Sequence, residues 1–472
     1  MQATTTSHRW RFKTSEQRFI LIFGDLFAGG LALMLALYFW AAGDEWMKLS
    51  MEFLRTRPQD WFYFLPLIWI IFLVETYDLS KASSMQDTLR CIGLATLIST
   101  FLYLIVYFAF PPYSLPRLGV ALFIIFVAIF TLIWRMIYIQ IFNRASKQRR
   151  VLIIGAGKAG TALVEAVTEK NPKPFNLIGL IDDDPAKIGT TLHNYPILGN
   201  HVMLSHLIQD QNITDLIIAI SDKMNHGMFQ ALLMAQETGT NLSTMTDTYE
   251  MLTNRVPIGL LESDWVVRSF LEKTPSSAFY RFFKRIMDLS GSGFGLIFLI
   301  LLYPLLALII MIDSGRPVIY KQERLGLGGK PFTIYKFRTM KNTRDMDHEG
   351  LVTAANDQRV TRVGRFLRKS HIDELPQLFN VIRGEMSLVG PRSERNELVT
   401  VFQNILPFYR ARMLVKPGVT GWAQIHQPYA ETVEETAVKL EYDLYYIVHA
   451  NLAMDLMILL RTFGAVFGFK GR

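Results

Sequence analysis

The chain has one cysteine, Cys91, in 472 residues. That excludes an intrachain disulfide and any cysteine-based zinc site. Charge is also scarce: Asp, Glu, Lys and Arg make up 19% of the residues against 50% apolar ones, and mean hydropathy is +0.23. This balance excludes a disordered or fibrous chain and is too apolar for an ordinary water-soluble enzyme. No Gly-x-Ser-x-Gly elbow or Walker lysine motif occurs, and His348-Glu349 lacks the second histidine of a zinc-protease helix. Isolated histidines such as His193, His371 and His426 read as surface or structural groups. The little charge present is lopsided, 49 Lys and Arg against 41 Asp and Glu, a net +8. Nucleic acid, an anionic membrane surface and a phosphorylated substrate all fit such an excess, so its location must decide.

Long apolar runs are abundant. Four in the first third, about Phe19–Ala41, Trp61–Glu75, Cys91–Phe110 and Leu118–Phe142, read as membrane-crossing helices, with the second interrupted by Pro66. The first is too long for a cleaved signal peptide and is followed by more spans. Basic residues flank the unit: Arg9, Arg11, Lys13 and Arg18 before it, Arg144, Lys147, Arg149 and Arg150 after it. An even number of spans with these flanks inside places everything beyond Arg150 in the cytoplasm.

From Val151 the pattern changes to α/β. Val151–Ile154 reads as a buried strand, Gly155-Ala156-Gly157-Lys158-Ala159-Gly160 as a glycine turn, and Thr161–Glu169 as a helix. Glycines there let backbone N–H groups approach a phosphate at the helix N-terminus. Asp182, 27 positions past Gly155, ends the second strand, whereas a dinucleotide fingerprint places its acid about 20 residues on. Room exists for only half a dinucleotide fold. Gly155, Gly157, Gly160 and Asp182 are the candidate nucleotide contacts, and a structural or regulatory role for the domain is favoured over one with turnover. Residues 263–278 read as a linker.

A fifth apolar segment, Gly293–Ile312, is long enough to cross. Yet Lys273, Arg281, Lys284 and Arg285 precede it and Arg316, Lys321, Arg324 and Lys330 follow, so crossing would strand one basic cluster on the wrong side. Pro304 removes a backbone donor near its middle. A re-entrant hairpin over 286–312, dipping into the leaflet and returning, is expected.

Polar motifs are densest beyond it. Val318–Arg324 and Pro331–Met340 read as extended segments around a Gly326–Gly329 turn. Arg359, Arg362, Arg365 and Arg368 recur at helical spacing beside Val360, Val363, Phe366 and Leu367, a stripe suited to an anionic membrane interface. No recognition module or aromatic platform accompanies the stripe, so nucleic acid is not the expected partner. Asp373 and Glu374 then open a segment near Lys336, Arg338, Arg368 and Arg392. As helix-start acids they would be ordinary dipole partners. In this basic setting beside a membrane-inserting segment, the cations can hold a nucleotide diphosphate. A carboxylate can bind Mg²⁺ or attack phosphorus, and the metal would screen the repulsion between them.

Across about Phe279–Arg472 the chain resembles the bacterial polyprenyl-phosphate hexose-1-phosphate transferases. The resemblance rests on Phe283–Asp288, Tyr335–Met340, Ile372–Gln377, Gly384–Arg392, Lys416–Gly421 and Leu440–Asp455. The membrane unit and Rossmann-like domain resemble the N-terminal part of the family's longer members. Two positions depart from it: Tyr303 precedes Pro304 where many members have a small polar residue, and Ser393 stands where a second proline is often found.

The resemblance implies a phosphoglycosyl transferase moving a sugar-1-phosphate from a UDP-sugar to undecaprenyl phosphate and releasing UMP, the first membrane step of exopolysaccharide, capsule or O-antigen synthesis. Asp373 would be the nucleophile, forming a covalent aspartyl-phosphosugar, with Glu374 as its partner and Asp373 as Mg²⁺ ligand. Arg368 and Arg392, with Lys336 and Arg338 nearby, would hold phosphates, and Pro304 would break the re-entrant helix. The expected architecture is an α-helical membrane unit (1–146), an α/β Rossmann-like domain (147–262) and an α+β membrane-associated catalytic domain (279–472) with a re-entrant helix hairpin. Its expected location is the bacterial inner membrane, multi-pass, with the catalytic domain on the cytoplasmic face. A homodimer is expected, because the membrane unit and middle domain offer large surfaces without catalytic duty. Two rival readings exist. A membrane-anchored nucleotide-sugar dehydratase or epimerase would use Tyr280 and Lys284 as a Tyr-x-x-x-Lys pair. A nucleotide-binding scaffold would use Gly155–Gly160 and leave the C-terminal motifs unexplained.

Overall fold

The computed structural model describes residues 14–43, 48–77, 82, 84–109, 116–147, 149–170, 173–220, 224–260, 278–341, 359–427 and 432–467. Arg9, Arg11 and Lys13, the expected linker up to residue 277, and His348-Glu349 lie outside them. The chain divides into two compact units, Met1–Arg149 with Pro174–Asn176, and the remainder.

In the first unit three helices have membrane-crossing length and composition: α1 (Thr14–Ala42), α3 (Met85–Ala109) and α4 (Arg117–Lys147). The second expected span is different. Pro66 lies at the start of an eight-residue helix, α2 (Leu65–Phe72), with 3₁₀ turns at Asp60–Phe64 and Val74–Tyr77 on either side. A proline in the first helical turn starts a helix instead of kinking one. At 1.5 Å per residue α2 extends about 12 Å, too short alone for a hydrocarbon core of about 30 Å. Within this bundle Arg135 of α4 and Asp25 of α1 form a fully buried ion pair (2.6 Å), and Arg135 also donates to the Thr76 hydroxyl (2.7 Å). Every donor so used is satisfied without water, as burial in an apolar bundle requires.

The middle domain is a four-stranded parallel sheet in the order β2-β1-β3-β4, built from β1 (Arg150–Ile154), β2 (Asn176–Ile181), β3 (Asp215–Ile218) and β4 (Asn241–Thr244). Helices α5 (Lys158–Thr168), α6 (His226–Glu237) and α7 (Met245–Thr253) accompany it. The expected α/β region with a parallel sheet is therefore seen. Gly155 and Gly160 are there for packing. Gly155 has φ +108, and a Cβ on Gly160 would lie 2.1 Å from the Gly155 carbonyl oxygen.

The C-terminal domain begins with α8, Ala278–Ser314, a single 37-residue helix running through Pro304. The hairpin expected over 286–312 is not seen, because no turn interrupts the helix. Proline forfeits one ladder bond, to the Ile300 carbonyl, and Tyr303 beside it stacks on Phe337 (6.2 Å between centroids). One face of α8 lies against the domain: Asp288, Ser292, Leu299 and Ile310 are buried, and Gly291 and Gly295 abut Leu388 and Leu378. The opposite face is bare and apolar, with Phe294, Ile297, Leu301 and Ile312 each more than 60% exposed.

The remaining elements are β5 (Ile319–Leu325), β6 (Pro331–Phe337), α9 (Arg362–Lys369), α10 (Leu378–Arg383), β7 (Ser387–Val389), α11 (Asn396–Ile405), β8 (Gly418–Thr420), α12 (Val433–His449) and α13 (Leu452–Phe467). The extended segments expected around the Gly326–Gly329 turn are β5 and β6, and the two pair antiparallel. β7 and β8 run parallel. Their backbones come so close that a Cβ on Gly390 would sit 2.4 Å from the Lys416 carbonyl oxygen, which accounts for glycine in that motif. Below them a core of Leu378, Val381, Met386, Val389, Trp422, Leu440 and Leu444 is sealed from water.

Candidate active site

Three pieces of backbone converge on the paired acids. Thr361 caps α9 by accepting from Gly364 N–H (2.9 Å), and the helix ends at Ser370. His371 then takes a left-handed conformation (φ 56) and turns the chain into a 3₁₀ segment, Ile372–Gln377, whose first turn carries Asp373 and Glu374. β6 supplies Lys336. The loop after β7 supplies Arg392.

The two carboxylates are treated differently. Glu374 is buried and receives Lys336 Nζ at 2.7 Å and Arg392 Nη2 at 2.6 Å, both on Oε1, while Arg392 Nη1 reaches Oε2 at 3.4 Å. Burial alone would raise its pKa, but Arg392 and Lys336 together outweigh that and hold it well below the usual carboxylate range. Asp373 is buried too, and among the described residues nothing donates a hydrogen bond to its carboxylate. Its burial and the negative charge of Glu374 push it up to about 7, against the pull of Lys336, Arg368 and Arg392. One acid is locked as an anion; the other is buried and open.

Of the candidate cations, Lys336 and Arg392 meet the acids directly. Arg368 acts on Asp373 through space while its Nε–H donates to the Thr339 hydroxyl (3.0 Å). Arg338 is turned elsewhere, its guanidinium donating to the carbonyls of Met340 (3.0 Å) and Arg316 (2.6 Å). In the middle domain Asp182 sits over the glycine turn, accepting from Ala156 N–H (2.7 Å), Asp184 N–H (2.9 Å) and Lys187 Nζ (3.1 Å). The amide a phosphate would use is thus occupied by the chain's own carboxylate, whereas Gly157 faces open space. Tyr280 and Lys284 do not form a redox-type pair: both donate to Asp455, at 2.9 and 2.8 Å.

No cluster of three or more His, Cys, Asp or Glu groups occurs among the described residues. A magnesium ion needs less than that, since one or two carboxylates suffice when substrate phosphates complete its shell. Asp373, desolvated and without a donor, fits that requirement; Glu374, already doubly paired, does not.

Several buried groups that matter here were not singled out from sequence. Glu394 gathers Lys439 (3.3 Å), Arg412 (3.6 Å) and Arg324 (3.8 Å), and these cations, with Arg392, hold it down at about 2 against its burial. Asp288 accepts from the Ser387 hydroxyl and Leu388 N–H, both 2.9 Å, and Arg285 donates to the carbonyls of Val381 and Ile382 at the end of α10. The 283–288 motif thereby fixes α8 to β7 and α10. Its presence was legible, but its pairing partners, some 100 positions away, were not.

Residues 279–469 match the family described as "Bacterial sugar transferase", and residues 73–234 match a "CoA-binding domain". The UDP-glucose:undecaprenyl-phosphate glucose-1-phosphate transferase of Escherichia coli (strain K12) is 33% identical over 328 residues, 68% of either chain. The UDP-N-acetylgalactosamine-undecaprenyl-phosphate N-acetylgalactosaminephosphotransferase of Aeromonas hydrophila is 40% identical over 227 residues, 47% of this chain and 52% of that one. The undecaprenyl-phosphate glucose phosphotransferase of Komagataeibacter xylinus is 32% identical over 330 residues, 66% of this chain and 58% of that one. The chain thus spans between about half and two thirds of the length of these relatives. Among solved structures, UDP-D-quinovosamine 4-dehydrogenase from Vibrio fischeri is 24% identical over 25% of this chain and 95% of its own, with a TM-score of 0.19, too low to argue from. The matches define an enzyme of the transferase class. The chain belongs to the bacterial sugar transferase family, and the relatives named above are undecaprenyl-phosphate sugar phosphotransferases.

Proposed function

We propose that the protein moves a sugar-1-phosphate from a UDP-sugar to undecaprenyl phosphate in two displacements at Asp373. An Asp373 oxygen attacks the sugar-bearing phosphorus, the bond to the other phosphate breaks, and UMP leaves with the electron pair. An oxygen of undecaprenyl phosphate then attacks the same phosphorus, regenerating the carboxylate and giving the lipid diphosphate sugar. The carrying observation is the asymmetry of the acids: Glu374 anchored by Lys336 and Arg392, Asp373 buried beside it with no donor among the described residues. Two steps suit a soluble donor and a lipid acceptor, which need not be bound together.

Arg392 and Arg368 orient the diphosphate, and Glu374 fixes Arg392 and Lys336 beside the attacking oxygen. A Mg²⁺ ion, held by Asp373 and the donor diphosphate, would neutralise charge on the phosphates when bound. Arg338, on backbone carbonyls, shapes the strand end instead of touching substrate.

The catalytic domain works at the inner membrane on its cytoplasmic face, and α8 enters the leaflet without crossing it. Support comes from its lengthwise packing. Asp288 near one end and Ile310 near the other are both buried against this domain, while the outer face is apolar. A crossing helix would leave the domain behind after its first turns. A homodimer is the proposed assembly.

The test is UMP release by the full chain in lipid, given undecaprenyl phosphate, Mg²⁺ and UDP-glucose, UDP-galactose or UDP-N-acetylgalactosamine. Lipid-dependent release with one donor is expected; no release with any donor would contradict the reading.

A further inference from the structure

Residues 254–260 leave the middle domain without leaving the catalytic core. Val256 and Ile258 are buried against Leu440, Leu444 and Trp422. Val256 N–H donates to the Glu441 carbonyl (3.2 Å), Arg255 Nε pairs with the Glu441 carboxylate (3.6 Å), and Trp422 Nε1–H donates to the Asn254 carbonyl (3.1 Å). One turn earlier Glu250, on α7, pairs with His449 at the end of α12 (2.7 Å). The middle domain therefore grips α12 along one side.

The other side of α12 holds the active-site loop. Asp443 accepts from Arg412 Nε–H (2.8 Å), and Lys439 pairs with Glu394 (3.3 Å). Arg412 is almost wholly buried, and its planar fork is fully committed: Nη1 donates to the Tyr409 hydroxyl (2.8 Å) and Nη2 to the carbonyl of Arg392 (3.0 Å). Arg392 is the group that pairs with Glu374 beside Asp373. A rigid helix with one face on the middle domain and the other on this loop transmits displacement between them, because packed buried groups do not deform continuously.

We propose that the middle domain sets the position of Arg392 through α12, with Arg412 as the positioning residue. The kinetic part of this inference rests on the transferase reading; the structural part does not. A ligand or partner that shifts the middle domain would thereby adjust donor binding at a site it never touches.

The test uses hydrogen exchange on the full chain in detergent, with Arg255→Ala as the probe. Exchange at residues 390–394 and 439–443 is expected to quicken by roughly fivefold or more, with β6 and α10 unchanged. Unchanged exchange at 390–394 overturns the proposal. So does loosening spread through β6 and α10, which would make Arg255 a general stabiliser. Donor kinetics supply a second readout. Arg255→Ala should raise KM for the UDP-sugar severalfold, with no further rise when added to Arg412→Lys. Additive effects would break the relay. If the unmodified chain releases no UMP with any donor, the transferase reading fails, and the exchange result still judges the coupling.

Discussion

Asp373 and Glu374 are one peptide bond apart, yet their surroundings drive them to opposite protonation behaviour, the arrangement expected where one acid reacts and the other organises. Asp373→Asn should reduce turnover at least about a thousandfold, since an amide neither attacks phosphorus nor binds Mg²⁺ well. The same change should raise the melting temperature at pH 8, because it removes a buried charge facing Glu374; a lowered melting temperature would contradict the raised pKa. Glu374→Gln should instead destabilise, by about 3 kcal/mol or more, by leaving Lys336 and Arg392 buried without their counter-ion. Denaturation of the two variants side by side checks the contrast. The acids and their basic setting are legible in the sequence, but their separate roles only through the family resemblance, because Lys336, Asp373 and Arg392 meet by tertiary folding and no local spacing announces it. Arg338 shows the limit of that approach. It lies in the right motif, yet its guanidinium serves two backbone carbonyls.

Helices and strands follow the sequence best where the signal is local. The Gly155–Gly160 turn after β1 and the Gly326–Gly329 hairpin both stand as read, since glycine placement and strand length suffice to specify them. The second expected span is the least regular: Pro66 begins an eight-residue helix flanked by 3₁₀ turns, a break in geometry that apolar composition does not reveal. The ion pair between Asp25 and Arg135 is not legible in the sequence, because single charges within apolar runs look like tolerated exceptions. Replacing Arg135 with Met should cost about 3–5 kcal/mol by stranding Asp25, and Asp25→Leu added to it should restore much of that loss, as thermal unfolding in detergent would show. Glu441 on α12 gives a pH test. Burial pushes it up to about 7 from an ordinary 4.5 despite Arg255. Between those values the folded chain keeps a proton the unfolded chain has lost, so stability falls as pH rises through the window, by at most about 3 kcal/mol. Glu441→Gln should flatten that slope, measured as the difference in melting temperature between pH 5 and pH 8.

Taken together, the parts differ in kind: the first unit carries apolar helices of membrane-crossing length, the parallel-sheet domain closes its own glycine turn with Asp182, and the C-terminal domain carries the acids beside α8. The single native cysteine makes the placement of α8 directly testable. In a Cys91→Ala background, cysteines at Ser277 and Gly315 should react with an impermeant maleimide from the same side of sealed vesicles; labelling from opposite sides would make α8 a crossing helix. The division between middle and catalytic domains was the hardest feature to read from sequence. Val256 and Ile258 look like the tail of one domain and pack in the core of the other.

The central claim is that Asp373 carries the sugar phosphate between donor and lipid. It is tested most directly by incubating the full chain with a radiolabelled UDP-sugar and Mg²⁺ in the absence of undecaprenyl phosphate, then mapping the bound label by peptide. The account predicts about one UMP released per active site, with the sugar phosphate on the peptide containing Asp373 and none on Asp373→Asn. UMP release that begins only when both substrates are present, with no label retained on the protein, would contradict it.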